Sequence, residues 1–160
     1  VLALGLVAGA IALAVVNIVL LLVPGSSKSQ ASRETAREQV LAAAKSETAL
    51  VISYDYRSVE AGAAKALPHL TGAFAADYRK SIDSVIKVQA PKVKAIVEGQ
   101  IDTAGIEAVS GTGKQVTLVV FGQQKVTNST LGQPRLDLVR LRVTMDNVDG
   151  QWKISKLDQI

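Results

Sequence analysis

The chain has 160 residues, a length that fits one domain once any membrane segment is set aside, and 48% of it is hydrophobic with only 4% aromatic. Eighteen basic against 14 acidic residues give a net charge of +4, spread without a block of five like charges and with few aromatics for base stacking, so nucleic acid is not an expected partner. The absence of cysteine excludes disulfides, thiolate catalysis and cysteine-ligated zinc or iron–sulfur centres, and a single histidine cannot build a metal-ligand cluster, so neither metal nor cofactor is expected.

Val1 to Val23 carries no charge, and Asn17 is its only hydrogen-bonding side chain. As a helix rising about 1.5 Å per residue it would span roughly 34 Å, enough for the roughly 30 Å apolar core of a bilayer, which predicts a transmembrane helix over 1–23. A cleaved signal peptide is the weaker alternative, because its apolar region runs only about 7 to 15 residues before a small-x-small site. Asn17 would be costly facing lipid and is expected against another helix, while Gly5 and Gly9 have the GxxxG spacing that lets helices approach closely. The first residue is Val, so a starting Met and a cytoplasmic tail are expected to be missing. Without that tail the flanking charges leave the orientation open.

Pro24-Gly25-Ser26-Ser27 stops the helix and opens a linker over 24–31, after which one domain is expected over 32–160. From Ser32 to about Val59 the residues Val40, Leu41, Ala44, Val51 and Ile52 fall on one helical side, with Tyr54 at its edge and Thr35-Ala36-Arg37-Glu38 as a capping box. Glu47 sits near that apolar side. It reads as a stripe-edge carboxylate reaching solvent, with a polar pocket or a subunit contact as the alternative. A short helix is expected over Glu60 to Leu67, stopped by Pro68. Thr71 then caps a third helix in which Phe74, Tyr78, Ile82 and Ile86 recur every fourth residue, and Pro91 closes it.

Beyond Pro91 the period falls to two. Strands are expected from Lys94 to Val109 with a bulge at Gly105, over Gln115 to Thr127, from Val139 to Asp146, and over Trp152 to Leu157 after an Asp149-Gly150 hairpin. Helices followed by an antiparallel meander make an α+β domain. Gly111-Thr112-Gly113-Lys114 has too few residues between its glycines and a strand after its lysine, so it is a turn and not a phosphate loop.

Tyr54, Asp55 and Tyr56, with His69 fourteen residues later, hold an acid, a base and hydroxyls. On a helix they would point about 100° apart, so packing is the better reading: Asp55 pairs with Arg57 or a nearby cap, and His69 after Pro68 is an exposed loop residue. Tyr54, Tyr78 and Glu47 are the candidates to line any cavity between helices and sheet. Arg140 and Arg142 share one strand face with Thr144, a row that is either a solvated face or a contact for an acidic partner or lipid headgroups. No catalytic residue is assigned.

The segments ISYDYRSVEAG at 52–62, LTGAFAADY at 70–78, and the closing VTLVVFGQQKVTN, LVRLRVTM and DGQWKISKLDQI resemble the Mce-associated membrane proteins of mycobacteria and related actinobacteria. The resemblance runs from the membrane segment to the last strand and contains no catalytic motif. It implies an NTF2-like cone, similar also to VirB8-type periplasmic domains, held on the outer face of the plasma membrane by one helix. The function it implies is that of a non-enzymatic accessory subunit that stabilises or assembles an Mce lipid-import transporter beside YrbE permeases, Mce tunnel proteins and, indirectly, a cytoplasmic ATPase. Two rival readings are a lipid-binding module using the cone and a VirB8-like secretion scaffold.

Overall fold

The computed structural model describes residues 26–160, and the chain divides into two compact units, Val1–Glu38 and Gln39–Ile160. The expected membrane helix over 1–23, with Gly5, Gly9 and Asn17, lies outside the described residues. No helix among the described residues is long and apolar enough to cross a membrane.

Helix α1 covers Ser26–Val51. It starts inside the segment read as a linker, which places Thr35 well within the helix, where its hydroxyl donates to the Ala31 carbonyl instead of capping. The helix ends eight residues before the expected Val59. Val51, Ile52, Tyr54 and Tyr56 crowd β-branched and aromatic side chains into six positions, a composition that fits an extended chain better than a helix. Tyr54–Asp55 accordingly forms the short strand β1. Ser53 secures the exit from the helix: its Oγ donates to the Ala49 carbonyl and accepts the Gly99 N–H.

Helix α2 (Val59–Ala66) leads through a 3-10 turn over Leu67–His69 into α3 (Gly72–Ser81), a π turn over Ile82–Ile86 and α4 (Lys87–Val93). Thr71 is the N-cap of α3 as expected, although its side chain makes no capping hydrogen bond. Pro91 does not close the helix. Proline withholds an N–H but has a helical φ of its own, so the turn continues to Val93 and ends where Lys94 adopts a left-handed conformation with φ of 52°. Arg79 and Lys87 bridge Glu60 of α2 to Asp83, tying α2 to the helical run that follows it.

Strands β2 (Ile96–Val109), β3 (Gln115–Thr127), β4 (Arg135–Val148) and β5 (Gln151–Gln159) follow, and the sheet is antiparallel in the order β1-β2-β3-β4-β5. Register shifts in β2 fall between Ile101 and Thr103 and between Ile106 and Ala108; Gly105, the expected bulge, stays in register with Val119. The β4–β5 hairpin turns at Asp149 and Gly150, both at positive φ (52° and 84°), as a two-residue type I′ turn requires.

Alternation sorts the sheet into two faces. Val116, Leu118 and Val120 of β3, Leu141, Val143 and Met145 of β4 and Ile154 of β5 join Val40 and Ala44 of α1 in one core, with Leu118, Val120, Val143, Met145 and Ile154 fully buried. Each such side chain withdrawn from water stabilises the fold by about 1.5–3 kcal/mol. The residues between them, among them Val119, Phe121, Arg140, Arg142 and Thr144, lie on the opposite face.

Candidate functional site

Val40, Ala44 and Thr48 recur every fourth residue, Glu47 falls three after Ala44 on the same helical side, and all four are buried. The expectation that Glu47 reaches solvent therefore fails: its side chain is only 9% exposed. It is buried with the stripe, and its partner is a residue that the sequence reading placed in solvent. His69, in the 3-10 turn, brings Nδ1 to 3.1 Å from Glu47 Oε1, so an ionised Glu47 accepts the imidazole N–H. His69 remains 42% exposed at its side chain. Glu47 Oε2 and Thr48 Oγ1 are buried without a hydrogen-bond partner among the described residues. Burial raises the Glu47 carboxyl above the ordinary carboxylate range, opposed by His69 and by the positive charge of Lys153 on β5.

The tyrosine-flanked aspartate is a different kind of place. Asp55 accepts the Arg57 backbone N–H at 2.9 Å and its guanidinium through both carboxylate oxygens, and Arg57 stacks over Tyr56 at 5.9 Å. Those hydrogen bonds hold the Asp55 carboxyl below its usual range. The pairing of Asp55 with Arg57 follows the expectation, whereas the helical geometry assumed for the trio does not, since Tyr54 and Asp55 pair with Val97 and Ile96 as a strand. Asp55 and His69 are engaged with different partners, so they form no acid–base couple with each other.

Of the three residues expected to line a cavity, Tyr54 alone borders either of two surface depressions among the described residues. Tyr54 borders a groove of about 340 Å³ with Leu50, Ser58, Lys65 and Glu98. Tyr78 packs between the main core and a small cluster of Val59, Ala63 and Ile82, where burial raises its phenol. Glu47 turns to His69. A second depression of about 320 Å³, on the outer sheet face, is lined by Glu98, Gly99, Gln100, Gln123, Lys125 and Leu136, and Glu47, Tyr78 and His69 border neither space. No group of three His, Asp or Glu able to hold a metal occurs among the described residues.

The outer face is the richer surface. Arg142 grips Glu107 with two hydrogen bonds, Nε to Oε2 at 2.7 Å and Nη2 to Oε1 at 2.9 Å. Thr144 is half-buried between Thr117 and Lys156. Arg140 makes no ion pair among the described residues and stands opposite Phe121, which is 43% exposed. The row Arg140, Arg142, Thr144 is therefore on one face, but only Arg140 offers an uncommitted charge.

Sequence reasoning missed Leu136 and Leu138, which lie on this face and are 63% and 87% exposed. They precede the expected start of the strand at Val139, whereas β4 begins at Arg135. The alternation reverses there: polar Arg135 and Asp137 continue the positions of Val139, and apolar Leu136 and Leu138 continue those of Arg140, so only Pro134 marked the true start of the strand.

The sequence profile of the family described as uncharacterized protein Rv1363c/MT1408-like matches residues 3–160. The chain is 26% identical over 106 residues to the uncharacterized protein Rv1363c of Mycobacterium tuberculosis (strain ATCC 25618 / H37Rv), covering 66% of this chain but only 40% of that protein. It is 28% identical over 127 residues to the outer membrane protein Rv1973 of the same strain, covering 78% of this chain and 76% of that one. Among solved structures it is similar to CagV, a VirB8 homolog of the T4SS from Helicobacter pylori strain 26695, with a TM-score of 0.58 at 14% identity over 76% of this chain and 96% of that one. The periplasmic domain of DotI gives a TM-score of 0.53 at 14% identity, over 76% and 92% of the two chains. At these identities the structures establish a shared VirB8-like α+β fold, in line with the expected helices on an antiparallel sheet.

Proposed function

The chain belongs to the Rv1363c/MT1408-like family, and from that premise we propose that it is a non-enzymatic accessory subunit that stabilises or assembles an Mce-type lipid-import transporter. In this reading the segment over 1–23 anchors it in the plasma membrane and the domain lies on the extracytoplasmic side. Its partners there are the YrbE permeases and Mce tunnel proteins, with the ATPase reached indirectly through them and membrane lipid around the anchor.

One observation carries the reading. The space between helix α1 and the sheet is filled by the protein's own side chains, with Val40, Ala44, Leu118, Met145 and Ile154 at most 2% exposed, while the opposite face presents Phe121, Leu136, Leu138 and Arg140 to its surroundings. A filled interior beneath an apolar and basic outer surface suits a domain that contacts other proteins better than one that encloses a substrate. The mycobacterial relatives and the resemblance of the segments at 52–62 and 70–78 to Mce-associated proteins support the choice of transporter.

The test is a mild-detergent pull-down of the tagged chain from its native membrane, with mass spectrometry of retained proteins and lipids. Permease and tunnel subunits in fixed ratio, lost on Arg140→Glu, are the expected result. Recovery of a stoichiometric lipid without those subunits would replace the reading with a lipid-binding module. Secretion ATPase and channel components in their place would make the chain a VirB8-like scaffold.

A further inference from the structure

Strand β4 is paired along nearly its whole length on one edge but only in part on the other. β3 covers it from Arg135 to Asp146, whereas β5 covers it from Leu141 to Val148, and the last contact on that side is the Ile160 N–H donated to the Arg140 carbonyl at 3.1 Å. Among the described residues no strand pairs with the second edge of Arg135 to Val139. In an antiparallel ladder the direction of backbone groups alternates along the strand. Because the Arg140 carbonyl aims toward β5, the N–H and C=O groups of Leu136 and Leu138 aim at the same open edge.

An open edge is a template for another strand, and proteins usually blunt it with charge. Here the charges do the reverse. Arg135 and Asp137, joined by an ion pair of 2.8 Å, carry opposite signs two positions apart on one face, while Leu136 and Leu138 on the other face are the two most exposed large apolar side chains among the described residues. Such a segment is complementary to a copy of itself. With a two-fold axis at Leu136, Arg135 of each copy lies opposite Asp137 of the other, and Leu136 lies opposite Leu136.

We propose that two copies of this chain associate by antiparallel pairing of their β4 edges over Arg135 to Val139, with the two-fold axis at Leu136. Leu136 exchanges two backbone hydrogen bonds with its counterpart, and each Leu138 N–H donates to the opposite Pro134 carbonyl. Neighbouring registers are disfavoured on the same evidence. An axis at Asp137 sets two carboxylates against each other at the closest Cα separation of the ladder, about 4.5 Å. An axis at Leu138 requires the edge of Arg140, which Ile160 already occupies. The pairing joins two sheets into one and keeps Phe121 and Arg140 of both copies on a common face. It does not depend on which transporter or other complex the chain serves.

The experiment uses the full chain in mild detergent, with sedimentation across a concentration series and cross-linking by a short bismaleimide. The chain has no cysteine of its own, so Leu136→Cys reports the two-fold position directly, and Thr117→Cys on the same sheet face serves as the negative control. A concentration-dependent dimer that cross-links at Leu136→Cys and not at Thr117→Cys is expected. Arg135→Asp and Asp137→Arg should each weaken it about tenfold or more by setting like charges opposite each other. The double exchange R135D/D137R should restore it. Far-UV circular dichroism of each variant establishes that it is folded. A wild-type chain that stays monomeric at every concentration would overturn the proposal, as would a dimer indifferent to both single exchanges or one that the double exchange fails to restore.

Discussion

The two faces of one sheet obey opposite rules. On the helix side Leu118, Val143, Met145 and Ile154 are wholly buried, and even the polar residues that α1 brings there, Glu47 and Thr48, are shut in, each with one oxygen that has no partner among the described residues. On the other side, residues one position along the same strands end in water: Leu138 is 87% exposed, and Arg142 meets Glu107 at the surface. A shift of a single residue thus separates positions where a methyl group matters from positions where a whole side chain can change. Stability is concentrated on one face, which leaves the other available for contacts.

The sharpest break should come at Gly122. A Cβ there would lie 2.0 Å from the Gln100 carbonyl oxygen and 2.9 Å from Ile101 Cα, both backbone atoms of the neighbouring strand, so Gly122→Ala must push β2 and β3 apart. We expect a loss of about 3 kcal/mol or more in urea unfolding. Gly99→Ala meets chiefly the movable Ile52 side chain and should cost less. Leu118→Ala, which empties a fully buried site, should cost about 2–5 kcal/mol by the same measurement.

Glu47→Gln tests the buried polar pair through its pH dependence. The folded-state pKa of Glu47 is raised by burial, so folding favours the protonated acid, and the stability this contributes is lost as pH rises through the folded value. Glutamine keeps an oxygen for His69 and has no charge to bury. Its melting temperature should match the wild type in acid and exceed it increasingly as pH rises above the ordinary carboxylate range toward neutrality. A difference that is flat with pH would mean that the carboxylate is not desolvated. At the small end, Leu138→Ser should stay within about 0.5 kcal/mol of the wild type, and Arg142→Ala should leave the unfolding midpoint unchanged, because its ion pair is exposed and screened.

How far the sequence carried depends on the range of the interactions involved. Period-two alternation marked the core of β3 and β4, and the positive-φ demand of Asp149-Gly150 located the last hairpin, because both signals are local. The pairing of Asp55 with Arg57 spans two residues and was equally legible. Glu47 and His69 are 22 residues apart and meet only because the 3-10 turn folds back on α1, which no helical wheel displays. The early end of α1 was misread because the apolar stripe continues through Val51 and Ile52 while their β-branched shapes favour the turn. The open edge of β4 escaped notice because the polar Arg135 and Asp137 interrupt the apolar alternation that marks the strand from Val139 onward.

The π turn over Ile82–Ile86 has a consequence for how this chain tolerates changes in length. Lys87 donates its N–H to the carbonyl of Ile82, five residues back instead of four, so the turn holds one residue more than an α-helix would. Removing one residue from Ile82–Ile86 should tighten it to an α turn and leave Tyr78 on one side and Ala90 on the other with their present neighbours. The same deletion anywhere in Gly72–Ser81 would swing everything beyond it by about 100° and turn Ala90 out of its buried site. A single-residue deletion scan through this helical run should therefore find one tolerant window, flanked on its N-terminal side by positions where the same loss prevents folding.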